Sequence, residues 1–186
     1  MTQTATKPNR GPAAAAENRA ALLAAARRLF AERGYHVPLS AIAREAGVGQ
    51  GSLYRHFPQR ELIAAAILEE NLAVLERSGG DFAGIWRTVV EQLVQSGGFV
   101  ETTLGSVDAP RTVDMERRFC RVVAEPLAQA QQAGTVAADL RVADLVLVMR
   151  MLLGAIGVEK DGPSRRAAAA QVLALVGRGL ELDEGE

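Results

Sequence analysis

Cysteine is almost absent: Cys120 stands alone in 186 residues. No intrachain disulfide can form, and a metal centre would need other ligands, so a small, buried, inert side chain is the plain reading of it. Aromatic residues are scarce too, at 4% against 48% hydrophobic residues overall, so the core must be built mostly from Ala, Leu and Val. No stretch alternates β-branched and polar residues, which argues against a sheet, while Ala and Leu favour helices. The most apolar stretch, VADLVLVMRMLLGAIGV, is short for a membrane span and contains Asp144 and Arg150, so it reads as a buried helix. The opening MTQTATKPNRGP has no apolar signal core. A cytoplasmic chain with no membrane partner and no cofactor is the expectation.

Charge is also small in total, at −1, but it is unevenly spread. Residues 1–60 carry nine Lys or Arg against three acids, Glu17, Glu32 and Glu45; residues 61–186 carry twelve bases against nineteen acids. That asymmetry fits a polyanion-binding first part and a second part with another task, or else a solvated charge pattern of no special use.

Residues 1–12 read as a disordered arm bearing Lys7 and Arg10. From about Glu17 to Arg33, Leu22, Ala26, Leu29 and Phe30 recur at helical spacing, and Gly34 is a natural stop. Pro38 suits the first position of a short second helix, whose inner face is Leu39, Ile42, Ala43 and Ala46 and whose end is Gly47, expected at positive φ. A third short helix runs from Gln50 to about Phe57, and Pro58 helps end it. A fourth runs from roughly Arg60 to Arg77, closed by Gly79-Gly80. Further helices are expected near 81–96, 112–133, 142–157 and 164–181, with residues 98–111 ambiguous. The fold class is therefore all-α: an arm (1–16), a head (17–60) and a helical body (61–186), the fourth helix bridging the last two.

The stretch AGVGQGSLYRHF holds three alternating glycines, Gly47, Gly49 and Gly51. A dinucleotide fingerprint requires a strand before such glycines and the spacing G-x-G-x-x-G, and a P-loop requires a following Lys. Here an amphipathic helix precedes them, the spacing is G-x-G-x-G and no such Lys follows. A helix-turn-helix accommodates all three: Gly47 turns the chain, Val48 plugs the turn, Gly49 caps the third helix, and Gly51 lets its backbone approach another surface closely. Leu53 and Phe57 then face inward and Gly51 and Arg55 outward, with Gln50, Ser52, Tyr54 and His56 on the flanks.

Residues 29 to 67, LFAERGYHVPLSAIAREAGVGQGSLYRHFPQRELIAAAI, resemble the TetR family of transcriptional regulators. The resemblance lies in an I-A-x-x-A-G-V helix and turn, then G-S-L-Y-x-H-F, then a basic residue opening the next helix. Two positions depart from it: Gly49, where Ser is common, and Pro38, where Thr is common. The resemblance implies a three-helix DNA-binding head, a linking fourth helix and a ligand-binding, dimerising body, with Gln50–Phe57 entering the major groove. On that footing Ser52, Tyr54, His56 and Arg60 contact phosphate, the last beside the N-terminus of the fourth helix, and Ser40 and Arg44 are further backbone contacts. Gln50 and Arg55 reach base edges, suited to adenine and guanine respectively, with Gly51 between them. Each residue also has a structural alternative: Tyr54 packing on a neighbouring helix, His56 bonded to local backbone, Arg55 a plain surface residue. His36 and His56 lack the supporting ligands a metal site needs.

The last two helices present more apolar surface than one chain readily covers. Leu145, Val148 and Leu152 on one, with Ala168, Val172, Leu175, Val176 and Leu180 on the other, would pair with a two-fold mate as a four-helix interface, or else form the core of a single chain. The resemblance implies the dimer. It also implies an effector pocket, for which Leu72, Trp86, Val90, Phe99, Met115, Phe119, Met149 and Leu153 are the candidates. Arg150, in the most apolar helix, pairs with an acid such as Asp144 across a dimer, holds an acidic effector, or emerges at an edge.

The expected function is a homodimeric repressor that a small-molecule effector releases from a palindromic operator in double-stranded DNA. An activator is a variant of the same reading, and a helical protein-binding adaptor is an alternative of another class. The sequence holds no nucleophile–base pair, carboxylate dyad or metal set, so an enzyme is not expected.

Overall fold

A computed structural model describes residues 11–96 and 109–178. Eight α-helices fall among the described residues: α1 (Gly11–Arg33), α2 (Leu39–Glu45), α3 (Gln50–His56), α4 (Arg60–Ser78), α5 (Phe82–Ser96), α6 (Ala109–Gln132), α7 (Val142–Gly157) and α8 (Gly162–Arg178). The fold is all-α, as the composition and periodicity require. Lys7, Arg10, Phe99 and Leu180 lie outside the described residues, as do 98–108 of the ambiguous stretch.

Several helix starts differ from expectation, α6 by beginning at Ala109 rather than near 112, and three others for a plain physical reason. α1 begins at Gly11 rather than near Glu17, so residues 11–16 of the expected arm are helical. Pro12 needs no N–H in the first turn, and Ala13 to Ala16 are strong helix formers, so the helix extends without an amphipathic pattern to announce it. α2 begins at Leu39, and Pro38, with φ −61° and ψ 140°, is its extended N-cap rather than its first helical residue. α8 begins at Gly162 rather than Ser164, because the carboxylate of Asp161 caps it. Asp161 Oδ1 accepts from the Ser164 N–H at 2.8 Å and Oδ2 from its hydroxyl at 3.1 Å.

α1 lays Leu22, Leu23, Ala26 and Phe30 against Ile42 of α2, Leu53 of α3, Phe57, and Ile63, Ala64 and Ile67 of α4, all buried. These residues form the head. Leu72 and Leu75, further along α4, continue the same apolar cluster into the body, where they meet Val89, Leu93, Phe119, Val123, Leu152, Leu153 and Ile156. α4 is thus common to both parts. Its body half is clamped by Arg118 of α6, which donates through Nε and Nη2 to Glu76, both at 2.8 Å, and through Nη1 to Glu69. The hydrogen bond from Arg118 holds the Glu76 carboxyl below its ordinary range. Gly79 and Gly80 close α4 at positive φ, 55° and 115°, a backbone that a side chain would strain.

α7 and α8 form an antiparallel hairpin. At the start of α7 the Asp144 carboxylate reaches back to Arg141: the Arg141 N–H donates to Asp144 Oδ2 at 2.8 Å and its guanidinium to Oδ1 at 3.0 Å. The hydrogen bonds from Arg141 lower the Asp144 pKa. Asp144 is therefore committed within its own chain. Within the chain Arg150 emerges at an edge, 69% exposed, 3.6 Å from Glu116 of α6.

α7 is not covered all round as its composition implies. Leu145, Leu152, Leu153 and Ile156 are buried, but Leu147 is 58% exposed and Met151 is exposed beside it. On α8, Leu175 and Val176 are exposed, while Ala168 and Val172 are half-buried. Leu145 and Leu152 consequently belong to the chain's own core, which corrects their placement on an intermolecular face, and Val148 is half-buried against that core. Leu147 and Met151 replace them at the surface. A helix that is apolar on every side gives no periodic signal for which side its own fold covers.

At the head–body seam, Arg165 of α8 is the one charged residue among the buried groups described, with 4% exposure. Its Nη1 donates to the Ala31 carbonyl of α1 at 2.8 Å; its Nε and Nη2 donate to the carbonyls of Glu159 and Lys160, both at 3.3 Å. A fork of fixed donors meets three carbonyl oxygens, so the buried charge is satisfied by dipoles rather than by a carboxylate.

Candidate nucleic-acid face and ligand cavity

The turn between α2 and α3 explains its own sequence. Gly47 has φ 66°, and its N–H donates to Arg44 O at 3.2 Å while the Val48 N–H donates to Ala43 O at 2.9 Å. That pair of bonds is a Schellman stop, which needs the left-handed residue that glycine supplies, and Val48 packs on the core beneath it. Gly49 caps α3 with φ −62° and ψ 143°, a backbone open to any residue, and makes no side-chain cap. Gly51 has ordinary helical backbone, and a Cβ there would meet nothing within 4 Å. Its small size leaves the outer face of α3 flat.

Leu53 and Phe57 are buried and anchor α3, so its opposite face is fixed in direction. Gln50, Gly51, Tyr54 and Arg55 are exposed there, with Ser52 and His56 half-buried at the sides. Tyr54, at 51% exposure, does not pack away beneath a neighbouring helix. His56 lies against Phe57, ring centroids 6.3 Å apart. Arg55 Nε donates to the Gly51 carbonyl one turn earlier, at 3.1 Å. Its two terminal nitrogens make no hydrogen bond or ion pair among the described residues. Ser40 and Arg44 share the exposed side of α2.

Arg60 is engaged within its own chain. Its Nη2 donates to the carbonyls of Val37 at 3.0 Å and His36 at 3.4 Å, and its guanidinium lies over the Tyr35 ring, 5.4 Å from the centroid. Through these contacts it secures the start of α4 to the α1–α2 connection. α4 has no side-chain cap at Gln59, so its first-turn N–H groups stay available at that edge.

In the body, a cavity of about 320 Å³ lies against α4. Of the expected pocket residues, Leu72, Met115, Phe119, Met149, Arg150 and Leu153 line it, joined by Leu68, Leu75, Val89, Leu93 and Val146. Trp86 and Val90 do not; Trp86 stacks on Phe82, ring centroids 6.4 Å apart and planes 9° from parallel. Three polar residues outside the expected set, Asn71 of α4, Gln92 of α5 and Glu116 of α6, complete the wall. The two amides are the less exposed of these. Both sit in the register of buried neighbours, Leu68, Leu72 and Leu75 on α4 and Val89 and Leu93 on α5, a position where a polar side chain stands out. A second, more polar cavity of about 580 Å³ opens at the head–body seam between α1, α4, α5 and the start of α8. Asn71 and Gln92 line that one as well.

An all-helical chain with an exposed reading helix behind a Schellman turn, carried by a long helix that also walls a cavity, is the architecture of a helix-turn-helix DNA-binding regulator. Residues 22–67 match the tetR family of bacterial regulatory proteins, and residues 81–182 match the C-terminal domain of SbtR-like transcriptional regulators. The chain is 30% identical over 181 residues to the HTH-type transcriptional regulator UidR of Escherichia coli K12, covering 86% of this chain and 91% of that one. The crystal structure of the TetR transcriptional regulator SCO0520 from Streptomyces coelicolor superposes with a TM-score of 0.60 at 30% identity, covering 87% of this chain and 97% of the other. A gamma-butyrolactone receptor shares the fold, with a TM-score of 0.51 at 24% identity over 89% of each chain. The chain belongs to the TetR family of transcriptional regulators. Its families and relatives are regulators, not enzymes. Among the described residues no helix is long and apolar enough to cross a membrane.

Proposed function

We propose that the protein is a homodimeric repressor that binds an inverted-repeat operator and is released by a small molecule held in the apolar cavity of the body. The observation that carries this reading is the position of that cavity against α4. The helix that presents Leu72 and Leu75 to a ligand is the one whose other half, Ile63 to Ile67, is packed into the head. A ligand that fits the cavity better in one setting of α4 than in another shifts the heads by that difference in affinity and by no more.

Head residues 17–60 supply the DNA face. Gln50 and the free Nη groups of Arg55 read base edges beside Gly51, while Ser52, Tyr54, His56, Ser40, Arg44 and the α4 first-turn N–H groups hold phosphate. Body residues 61–186 supply the ligand site and the mate-binding face, Leu147 and Met151 of α7 with Leu175 and Val176 of α8. A two-fold pair of such hairpins closes into a four-helix interface and spaces two reading helices for successive major grooves.

The test is a gel shift and footprint on the DNA flanking the protein's own coding region. Protection of an inverted repeat, weakening steeply with salt, is expected. Binding without sequence preference, or binding indifferent to salt, would refute the reading.

A further inference from the structure

Asn71 faces two cavities at once, and its hydrogen bonds fix which way its amide points. Arg27 of α1 donates from Nη1 to Asn71 Oδ1 at 2.5 Å. Arginine has only donors, so the atom it meets must be the carbonyl oxygen, and the amide NH₂ of Asn71 takes the other direction. That NH₂ makes no hydrogen bond among the described residues, although the side chain lines the apolar cavity. Arg27 also donates to Ile67 O at 3.3 Å and to Glu70 Oε2 at 3.0 Å, so Asn71 belongs to the joint by which α1 grips α4.

Gln92 is oriented in the same manner. Its Nε2 donates to the Asn71 main-chain carbonyl at 3.3 Å, which leaves Oε1 unengaged. Asn71 and Gln92, common to both cavities, thus offer one amide donor and one amide acceptor beside the apolar surface of Leu68, Leu72, Leu75, Val89 and Leu93 that lines the smaller one. At the far side, Arg150 and Glu116 face each other as an exposed pair of opposite sign, so the lining carries no net charge to select an ion.

We propose that the effector is a neutral, mainly apolar molecule bearing a carbonyl oxygen, that Asn71 Nδ2 binds this oxygen, and that the Asn71–Arg27 bond reports its presence to the head. The inference rests on the proposed role of the apolar cavity. One amide plane serves both contacts: an acceptor on Nδ2 polarises and reorients the group whose oxygen holds Arg27. The coupling is reciprocal, so whatever the ligand does to the α1–α4 joint, the joint does to ligand affinity.

The probe is prodan, a neutral naphthalene with one ketone whose emission reports polarity and hydrogen bonding, compared with its ketone-free dimethylaminonaphthalene parent. Wild-type protein is expected to bind prodan with blue-shifted emission and to lose operator affinity as prodan saturates it. Asn71→Asp keeps an oxygen for Arg27 and removes the donor; it should bind prodan about 3–10-fold more weakly, the range of one neutral hydrogen bond, and the parent compound unchanged. Asn71→Leu should show the same loss and guards against an effect of the added charge. Arg27→Met should bind prodan within about twofold of wild type, the margin left when no ligand contact is removed, yet lose the change in operator affinity. Equal prodan affinity in wild type and both Asn71 variants, no effect of prodan on operator affinity, or an intact response in Arg27→Met would overturn the inference while leaving the cavity's role standing. Failure of both naphthalenes to bind would instead overturn the reading of the cavity on which it rests.

Discussion

Replacing Arg165 by Met isolates the contribution of a buried guanidinium that no carboxylate balances. The substitution keeps an unbranched apolar stem, two atoms shorter, and removes every donor. Three carbonyls lose a charged partner: Ala31 O at 2.8 Å, and Glu159 O and Lys160 O at 3.3 Å. A buried acceptor left unpaired costs about 1–3 kcal/mol. Glu159 and Lys160 sit in a turn that water reaches, so most of the cost falls on Ala31 O, and relief from burying a charge offsets part of it. The expected net loss is about 1–2 kcal/mol, which for a chain of this length lowers the melting temperature by roughly 2–8 °C. Arg165→Lys should recover only part of this, since one ammonium cannot span the fork of three oxygens. Arg166→Met, at the neighbouring exposed position paired with Glu91 at 3.2 Å, should shift stability by less than about 0.5 kcal/mol. Calorimetry on the three variants decides the matter. A loss under about 1 kcal/mol for Arg165→Met, or equal losses at 165 and 166, would refute the claim that the seam depends on this residue.

Gly51→Ala should raise stability by about 0.5 kcal/mol, because alanine suits a helix better and a Cβ meets nothing; if operator binding by gel shift does not weaken alongside, close approach of the α3 backbone to DNA is wrong. Arg55→Ala should relax base preference in a selection from random operators with little change in melting, whereas Arg60→Ala should destabilise the head by exposing the His36 and Val37 carbonyls to loss of their partner; the reverse pattern would contradict both assignments. Leu147→Glu and Val176→Glu, at exposed positions, should leave each chain folded but monomeric by analytical ultracentrifugation, and Leu152→Ala, in the core, should instead cost about 2–5 kcal/mol of folding stability. Glu76, Glu91, Asp144 and Asp161 all have lowered pKa values in the folded chain, from hydrogen bonds with Arg118, Gln95, Arg141 and Ser164 respectively. The unfolded chain therefore binds more protons as pH falls, so the stability these groups lend is present above the ordinary carboxylate range and lost below it; urea midpoints that stay flat from pH 6 down to about 3 would exclude the effect.

The head was legible because its constraints are local. Gly47 must turn, Leu53 and Phe57 must bury, and the spacing of both follows from helix geometry alone. The start of α1 was not, since a run of alanines after Pro12 carries propensity without a face. The structural role of Arg60 was hidden for a related reason: a basic residue at a helix start carries no sign of the carbonyls of His36 and Val37 that it meets, which lie more than twenty residues earlier. In α7 the composition announced burial but could not separate Leu152, against its own core, from Leu147, outside it. Asn71 and Gln92 were legible in principle, as amides in the register of buried leucines and valines, but their shared position between two cavities depends on how α1, α4 and α5 meet. Arg165 had no such signal; beside Arg166 in SRRAAAA it reads as one of two solvated charges.

α4 can be considered as a lever. Arg118 of the body holds it at Glu69, and from there to Arg60 at its head end are nine residues, about 13.5 Å of helix. A tilt of about 5° at that fulcrum carries the head end roughly 1.2 Å, and two heads moving apart in a symmetric pair separate by about 2.4 Å, against the roughly 3.4 Å between successive base pairs. In the proposed dimer, such a displacement would put two reading helices out of step with the duplex by most of one base-pair step. The placement of the fulcrum matters as much as the size of the motion: an anchor nearer Arg60 would shorten the arm and make the same ligand a weaker switch.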